Sequence, residues 1–457
     1  MRSFHRLLIA SAAFLPFTPL YAEDHAAPVG DFRPCADAEA APALAGSLCA
    51  RIPAPLDHAD PEKGDIELFV RKFHADGEAK GELWLVAGGP GESGASFYPF
   101  LETLRAAAPG YDLIIPDHRG TGYSTRLCEA EESPESDGGT ALAGAEWGSC
   151  FAALNENAHR TRTFTITNAA HDLSHLMTRL GDEERTYLYG VSYGTQLVLR
   201  TMAIDPPAVI DGVILDSLVP PEETERYDLS RRSAVVDSVG RGALSEELQA
   251  DLAALIAAAD PEGPLGPRPK YILGALLDLP ETRAMLPEIV TALQAGDTGP
   301  LNEAKARLED LGARFAPYAQ APSSIPLVSL ISRSENNARP TLTAQTVATE
   351  EEAYLFASPL PGQLTRGGFP AYERGESFAK LPETLPPTLV LHGTHDPKTA
   401  YEGAREHVAL FKDAGDVGLV TVEGAPHFIL MTAPDCFRDS VRAFLGRAKA
   451  YSDRCRL

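Results

Sequence analysis

The stretch Thr186-Tyr187-Leu188-Tyr189-Gly190-Val191-Ser192-Tyr193-Gly194-Thr195-Gln196 decides the fold. Its first half is a short apolar, aromatic-rich run of the kind that forms a buried strand. Its second half leads into residues 196–204, whose spacing predicts a helix. Between the two, Gly-Val-Ser-Tyr-Gly puts a serine on the turn, with glycines on both sides that permit a sharp reversal from strand to helix. A turn of this kind lifts the serine hydroxyl clear of the sheet, where it can act as a nucleophile. The five-residue pattern is common, and an ordinary Gly/Ser turn is the competing reading. The strand before it and the helix after it weigh against that reading.

Moving outward from the turn, residues 66–73, 82–87, 111–115 and 213–215 also read as strands, and 167–180 as a helix. Short apolar runs alternating with helical patterns predict a mostly parallel sheet covered by helices on both faces. The pattern then changes. Residues 219–385 are rich in Ala, Leu, Glu and Pro, carry helical spacing at 244–259 and 301–315, and offer no convincing strand. Strand character returns at 387–391 and 417–422, followed by an amphipathic helix at 435–448. The predicted organisation is a leader at 1–22, a first core portion at 23–218, a helical cap at 219–385 and a second core portion at 386–457.

A serine hydroxyl is a weak nucleophile unless a base takes its proton and a third group orients that base. Downstream, Leu389-Val390-Leu391-His392-Gly393-Thr394-His395-Asp396 ends a strand pattern with Asp396 in a loop. The run at 417–422 leads into Glu423-Gly424-Ala425-Pro426-His427. His427 is therefore the expected base, with Asp396 holding its tautomer and stabilising the imidazolium. The order serine, acid, histidine is that of the α/β-hydrolase fold, here with a large helical cap inserted in its core. Asp216, which also follows a strand, is the rival acid, and His392 and His395 are less suitable bases on the Gly393 turn. The oxyanion needs backbone N–H donors. These are expected from Tyr193, which follows the nucleophile, and from Gly89 in Ala87-Gly88-Gly89-Pro90-Gly91, with Gly88 as the alternative.

Composition narrows the function classes. The formal net charge of −24 disfavours nucleic acid as a partner. Arg2 and Arg6 precede an apolar run at 7–17 and a small residue at Ala22, the pattern of an export signal too short to span a bilayer. No later run is long enough to span one. Six cysteines fall as Cys35/Cys49, Cys128/Cys150 and Cys436/Cys455. Six cysteines allow 15 pairings; nearest-neighbour pairing is the economical expectation, and the set fits an exported, periplasmic or extracellular chain. No zinc spacing is present. His171-Asp172-Leu173-Ser174-His175 imitates a zinc helix but has Asp for Glu and no third ligand, so surface or packing histidines are expected. The reading requires no metal and no cofactor. Arg119 is expected to form a structural ion pair with a buried acid.

Taken together, Gly88-Gly89-Pro90-Gly91-Glu92-Ser93-Gly94, Asp117-His118-Arg119-Gly120-Thr121-Gly122-Tyr123-Ser124, Gly190-Val191-Ser192-Tyr193-Gly194, and Gly393 with Asp396 and His427 form a set. The set resembles the exported branch of the proline iminopeptidase/tripeptidyl aminopeptidase family of serine peptidases, over about residues 35–455. The resemblance implies hydrolysis of a peptide bond near a free N-terminus, releasing proline or a short peptide through an acyl-enzyme on Ser192. It also implies acidic cap residues that hold the substrate's ammonium. Glu335 and Glu223 are the candidates, with Glu222 as an alternative. Ser334 stands where exported relatives often carry a cysteine. The expected partner is a peptide or small molecule with a free amine. The competing functions are a carboxylesterase or amidase for non-peptide substrates, and a catalytically inactive binding module on the same fold.

Overall fold

A computed structural model describes residues 30–181, 185–447 and 449–457. The leader expected at 1–22 lies outside the described residues. Among the described residues ten strands form one sheet: β1 (Arg33–Pro34), β2 (Leu48–Pro55), β3 (Asp65–Phe73), β4 (Gly81–Val86), β5 (Asp112–Asp117), β6 (Arg185–Val191), β7 (Gly212–Asp216), β8 (Thr388–Gly393), β9 (Val417–Glu423) and β10 (Asp453–Arg456). Their order is β1-β2-β3-β5-β4-β6-β7-β8-β9-β10. The pairs β1/β2, β2/β3 and β3/β5 are antiparallel, and every pairing from β5/β4 to β9/β10 is parallel.

The central strands carry unbroken apolar runs because both faces are covered. Side chains alternate across β4: Trp84 and Val86 join one core cluster, with Leu188, Val213 and Val390, while Leu83 and Leu85 join the other, with Tyr189, Ile214 and Leu391. Helices lie over both faces. Ile166–Leu180 and Tyr193–Ile204 contribute Leu173, Leu176, Leu197 and Val198 to the first cluster, and Pro434–Arg447 contributes Phe437, Val441 and Phe444 to the second.

Three strands escaped the sequence reading. β2 contains Pro53 and Pro55, which argue against a central strand. They are accommodated because the two-residue β1 ends before reaching them, leaving a sheet edge where proline is tolerated. β1 is too short to show a pattern. β10, with the sequence Asp-Arg-Cys-Arg, is a charged edge strand without an apolar period. The disulfides form as Cys35–Cys49, Cys128–Cys150 and Cys436–Cys455, the nearest-neighbour pairing. The last of these fastens β10 to the helix Pro434–Arg447.

Between β7 and β8 the described residues form helices and connecting turns only. Arg232–Arg241, Glu246–Ala257, Leu286–Gln294 and Gly299–Ala313 share a core of their own, with Val236, Leu252, Leu276, Leu286, Ile289 and Leu301 buried together. The helix Ile325–Ser334 behaves differently. Its Leu327, Leu330 and Ile331 pack into the main cluster with Trp84 and Leu188. Among the described residues no helix is long and apolar enough to cross a membrane.

Candidate active site

Five parallel neighbours, β4, β6, β7, β8 and β9, deliver Gly89, Ser192, Asp216, Asp396 and His427 to the same edge of the sheet. This is the carboxyl end of the strands, where open α/β sheets place their ligands. Ser192 sits between β6 and the helix Tyr193–Ile204 with φ 54° and ψ −123°, and its N–H donates to Asp216 O at 3.0 Å. A positive φ on a residue with a Cβ costs about 1–3 kcal/mol and persists only where the surroundings enforce it. The flanking glycines do so by close approach. A Cβ on Gly190 would meet Gly194 O at 2.5 Å, and one on Gly194 would collide with Val86 O of the adjacent strand. Ser217, directly after β7, and Phe428, next to His427 in the segment after β9, also have positive φ, so backbone strain concentrates around this edge.

The two rival acids separate clearly. Asp396 Oδ2 lies 2.8 Å from His427 Nδ1. The same oxygen accepts from Thr399 Oγ1 at 2.8 Å, and Oδ1 accepts from the Lys398 and Thr399 N–H groups at 2.7 and 2.8 Å. Burial alone would push this carboxyl up, but His427 and the hydrogen bonds outweigh it and hold Asp396 well below the usual carboxylate range. It therefore faces His427 as a carboxylate. Asp216 is turned to structure. Its Oδ1 accepts from Ile429 N–H at 2.9 Å and Ser217 Oγ at 3.0 Å, and its Oδ2 from Tyr189 OH and Leu430 N–H at 2.9 and 3.0 Å. The two backbone bonds anchor the chain just after His427, and the two hydroxyl bonds tie that anchor to β6 and to the residue after β7. His392 Nε2 lies 2.7 Å from Thr399 O and 3.6 Å from Asp396 Oδ2, so it flanks the carboxylate without displacing the shorter His427 bond, and His395 Nδ1 lies 3.3 Å from Gly424 O.

Ser192 and His427 line a cavity of about 780 Å³ together with Gly89, Glu92, Arg232, Asp278, Lys398 and Phe428. The cap supplies much of its wall, from Leu229 through Tyr271 to Leu360. No hydrogen bond joins Ser192 and His427 among the described residues; such contacts often tighten only with substrate in place. The Tyr193 N–H begins a helix and so has no acceptor within it. Gly89, with φ 111°, borders the cavity on the far side of Ser192's turn, and a Cβ there would strike Gly91 N. The arrangement can present a hydroxyl, a carboxylate-backed imidazole and backbone donors to one carbonyl group.

The loop at 88–94 also touches the cap. A Cβ on Gly91 would meet Ser324 O at 2.5 Å and Val328 Cγ2 at 2.7 Å. Ser324 N–H donates to Gly91 O at 2.9 Å, and Ser93 Oγ donates to Gln320 O at 2.6 Å. Loop and helix are thus stitched along a short seam.

The expected ammonium-binding acids fall elsewhere. Glu335 is 3% exposed, pairs with Arg200 at 2.7 Å and accepts from Tyr372 OH at 2.8 Å. Arg200 also holds Glu222 at 2.7 Å. Both carboxylates are neutralised internally, and neither lines the cavity. Glu223 is exposed and likewise absent from the lining. The acids that do face the cavity are Glu92 and Asp278, which the sequence reading did not single out. Asp278 pairs with Lys398 at 3.2 Å. Glu92 stands beside Ser192, since a methyl on Gly88 would meet both Glu92 Oε2 and Ser192 Cβ at 3.2 Å. Burial pushes the Glu92 carboxyl up, against the pull of Lys398 and His427. The Pro-Gly-Glu-Ser sequence on the expected oxyanion loop was the available signal.

The zinc-like helix dissolves into separate contacts. His171 pairs with Asp205 at 2.7 Å, His175 lies 3.1 Å from Pro53 O, and Asp172 is held by Arg119 at 2.6 Å and by His58 at 2.8 Å. Arg119 makes the buried pair expected of it. Among the described residues the one close group of metal-ligand types is Cys35, Asp37 and Cys49, and its two cysteines are joined in a disulfide.

Comparison with known proteins places the chain in a fold family. Residues 83–434 match the family described as alpha/beta hydrolase fold. A tripeptidyl aminopeptidase of Streptomyces lividans is 26% identical over 460 residues, covering 89% of this chain and 83% of its own. The serine protease Hip1 of Mycobacterium tuberculosis is 29% identical over 194 residues, covering 38% of this chain and 36% of Hip1. The chain thus spans only about a third of Hip1's length. The crystal structure of a Mycobacterium smegmatis proline iminopeptidase aligns with a TM-score of 0.46 at 18% identity, covering 87% of this chain and 98% of that one.

Proposed function

We propose, from the premise that the chain belongs to the alpha/beta hydrolase fold family and is a serine hydrolase, that it is an exported aminopeptidase. It would release an N-terminal proline or a short N-terminal peptide through an acyl-enzyme on Ser192. The observation that carries the reading is the Asp396–His427 bond opening into the same cap-walled cavity as Ser192. A cavity walled in this way favours a chain end over the middle of a long polypeptide.

In this reading Ser192 Oγ attacks the scissile carbonyl while His427 takes its proton, and Asp396 stabilises the imidazolium that results. The carbonyl oxygen becomes negative and is received by the N–H groups of Tyr193 and Gly89. His427 then returns the proton to the departing amine, the C–N bond breaks, and water hydrolyses the Ser192 ester by the same route in reverse. The substrate ammonium is met by Glu92, the cavity acid beside the nucleophile that forms no ion pair among the described residues, rather than by Glu335 or Glu223. Three disulfides support an oxidising, exported setting.

The test is a set of prolyl and tripeptidyl fluorogenic amides, each with a free or acetylated amine, assayed beside p-nitrophenyl esters. Cleavage of free-amine amides that acetylation suppresses by tenfold or more is the expected result. Ester turnover without cleavage of any free-amine amide overturns the peptidase reading in favour of an esterase. Failure of a fluorophosphonate to label Ser192 in folded protein overturns both.

A further inference from the structure

Most buried arginines of this protein are saturated with partners. Arg71 bonds Asp37, Ser47 and Tyr98. Arg119 bonds Asp172 and the carbonyls of Pro55, Leu56 and Thr163. Arg200 bonds Glu222, Glu335 and Thr167. Arg232 departs from this. It is the first residue of the cap helix Arg232–Arg241, is 9% exposed, and borders the cavity that holds Ser192 and His427. Its Nε is buried without a hydrogen-bond partner, and among the described residues the guanidinium forms no ion pair.

The carboxylates whose field reaches it are Asp396, Asp278 and Asp228, and each is engaged elsewhere. Asp396 is filled by His427, Lys398 and Thr399. Asp278 pairs with Lys398, and Asp228 accepts from Ser230 Oγ at 2.9 Å and Ala338 N–H at 2.6 Å. An enclosed, unpaired cation is destabilising, and burial accordingly pulls Arg232 down to about 10. In an acidic protein with carboxylates close by, the sequence leaves this fork open toward the cavity. A planar guanidinium with free donors suits a carboxylate, which it can hold through two parallel hydrogen bonds.

We propose that Arg232 is a specificity-determining residue that holds a carboxylate of the substrate while Ser192 acts on it. The inference deepens the hydrolase reading above and rests on its cavity and nucleophile, but not on cleavage of a peptide amide. Two sources supply such a carboxylate: an acidic side chain, or the C-terminal carboxylate of a short peptide.

The experiment uses the whole protein with p-nitrophenyl acetate as reporter. Tripeptides are added as competitors in two matched pairs: a C-terminal acid against its amide, and an aspartyl peptide amide against its asparaginyl counterpart. One carboxylate member is expected to inhibit at least about tenfold more tightly than its neutral match, the scale of a charge-assisted hydrogen bond. The pair that shows the preference identifies the source. In Arg232→Met that preference collapses toward unity, and in Arg232→Lys it falls part of the way. Fluorophosphonate labelling of Ser192 verifies that each variant is folded. Equal inhibition by acid and neutral members in the unaltered protein overturns the proposal even if no variant folds. So does an acid preference that survives in Arg232→Met. Because the reporter is an ester, a carboxylate preference without peptide cleavage would sink the aminopeptidase reading and leave this inference standing.

Discussion

The sheet edge and the helical cap wall the same cavity by opposite means. At the sheet edge, position is dictated by backbone. Ser192 is held at positive φ, Gly190 and Gly194 have no room for a Cβ, and Asp216 ties Tyr189 and Ser217 to the backbone just after His427. In the cap, position is dictated by side chains meeting across long sequence separations, as where Arg200 gathers Glu222 and Glu335. The first kind of order tolerates almost no substitution. The second can be redrawn by changing one charge, which suits a region that selects among substrates.

The contrast can be broken most directly at Ser192, the proposed nucleophile. Ser192→Ala is expected to remove about 10⁵-fold or more of kcat on any substrate the protein turns over, with unchanged thermal stability. A residual rate within tenfold of the parent would show that the sheet edge does not carry the chemistry. Asp396→Asn should follow with roughly a 10⁴-fold loss in kcat, because the amide favours the wrong His427 tautomer. Steady-state kinetics with an ester substrate check both.

Glycine substitutions sharpen the comparison at the level of stability. Gly194→Ala forces a methyl into Val86 O and is expected to cost about 3 kcal/mol or prevent folding. Gly312→Ala, on the exposed cap helix Gly299–Ala313 with nothing near the added Cβ, should instead stabilise by up to about 1 kcal/mol. Urea titration of the two variants reads the difference directly, and equal effects would erase it.

The smallest effect is expected at Glu92, where the two regions meet. Its folded pKa is raised by burial, with Lys398 and His427 as the charged groups opposing the shift. The fold therefore binds this proton more tightly than the unfolded chain does. Its stability contribution is fully present below the ordinary glutamate pKa of ~4.3 and is lost as pH rises through the folded value. Glu92→Gln should thus raise Tm relative to the parent at pH 8 and leave it little changed at pH 4. A Tm difference independent of pH would contradict the shift.

How far the sequence could be read follows the same division. The turn around Ser192 was legible because strand, glycine spacing and helix are local and leave local marks. The meeting of Asp396 with His427 was legible because strand ends announce themselves, and the sequence already favoured Asp396 over Asp216. Glu335 misled because its partner Arg200 lies 135 residues away, and no local pattern reveals that the charge is already taken. Glu92, Arg232 and Asp278 come from three separate segments whose meeting depends on how the cap helices pack. β2 was obscured by prolines that a short neighbour renders harmless.

The seam between Gly91 and Ser324 gives this fold a constraint for engineering. Lids on hydrolases invite transplantation, since they look like interchangeable covers on a common chassis. Here the cover leans on the loop proposed to cradle the oxyanion, at a point where a single added methyl would not fit. A grafted lid would have to reproduce the contour of Ser324 and Val328, or arrive with a matching loop of its own.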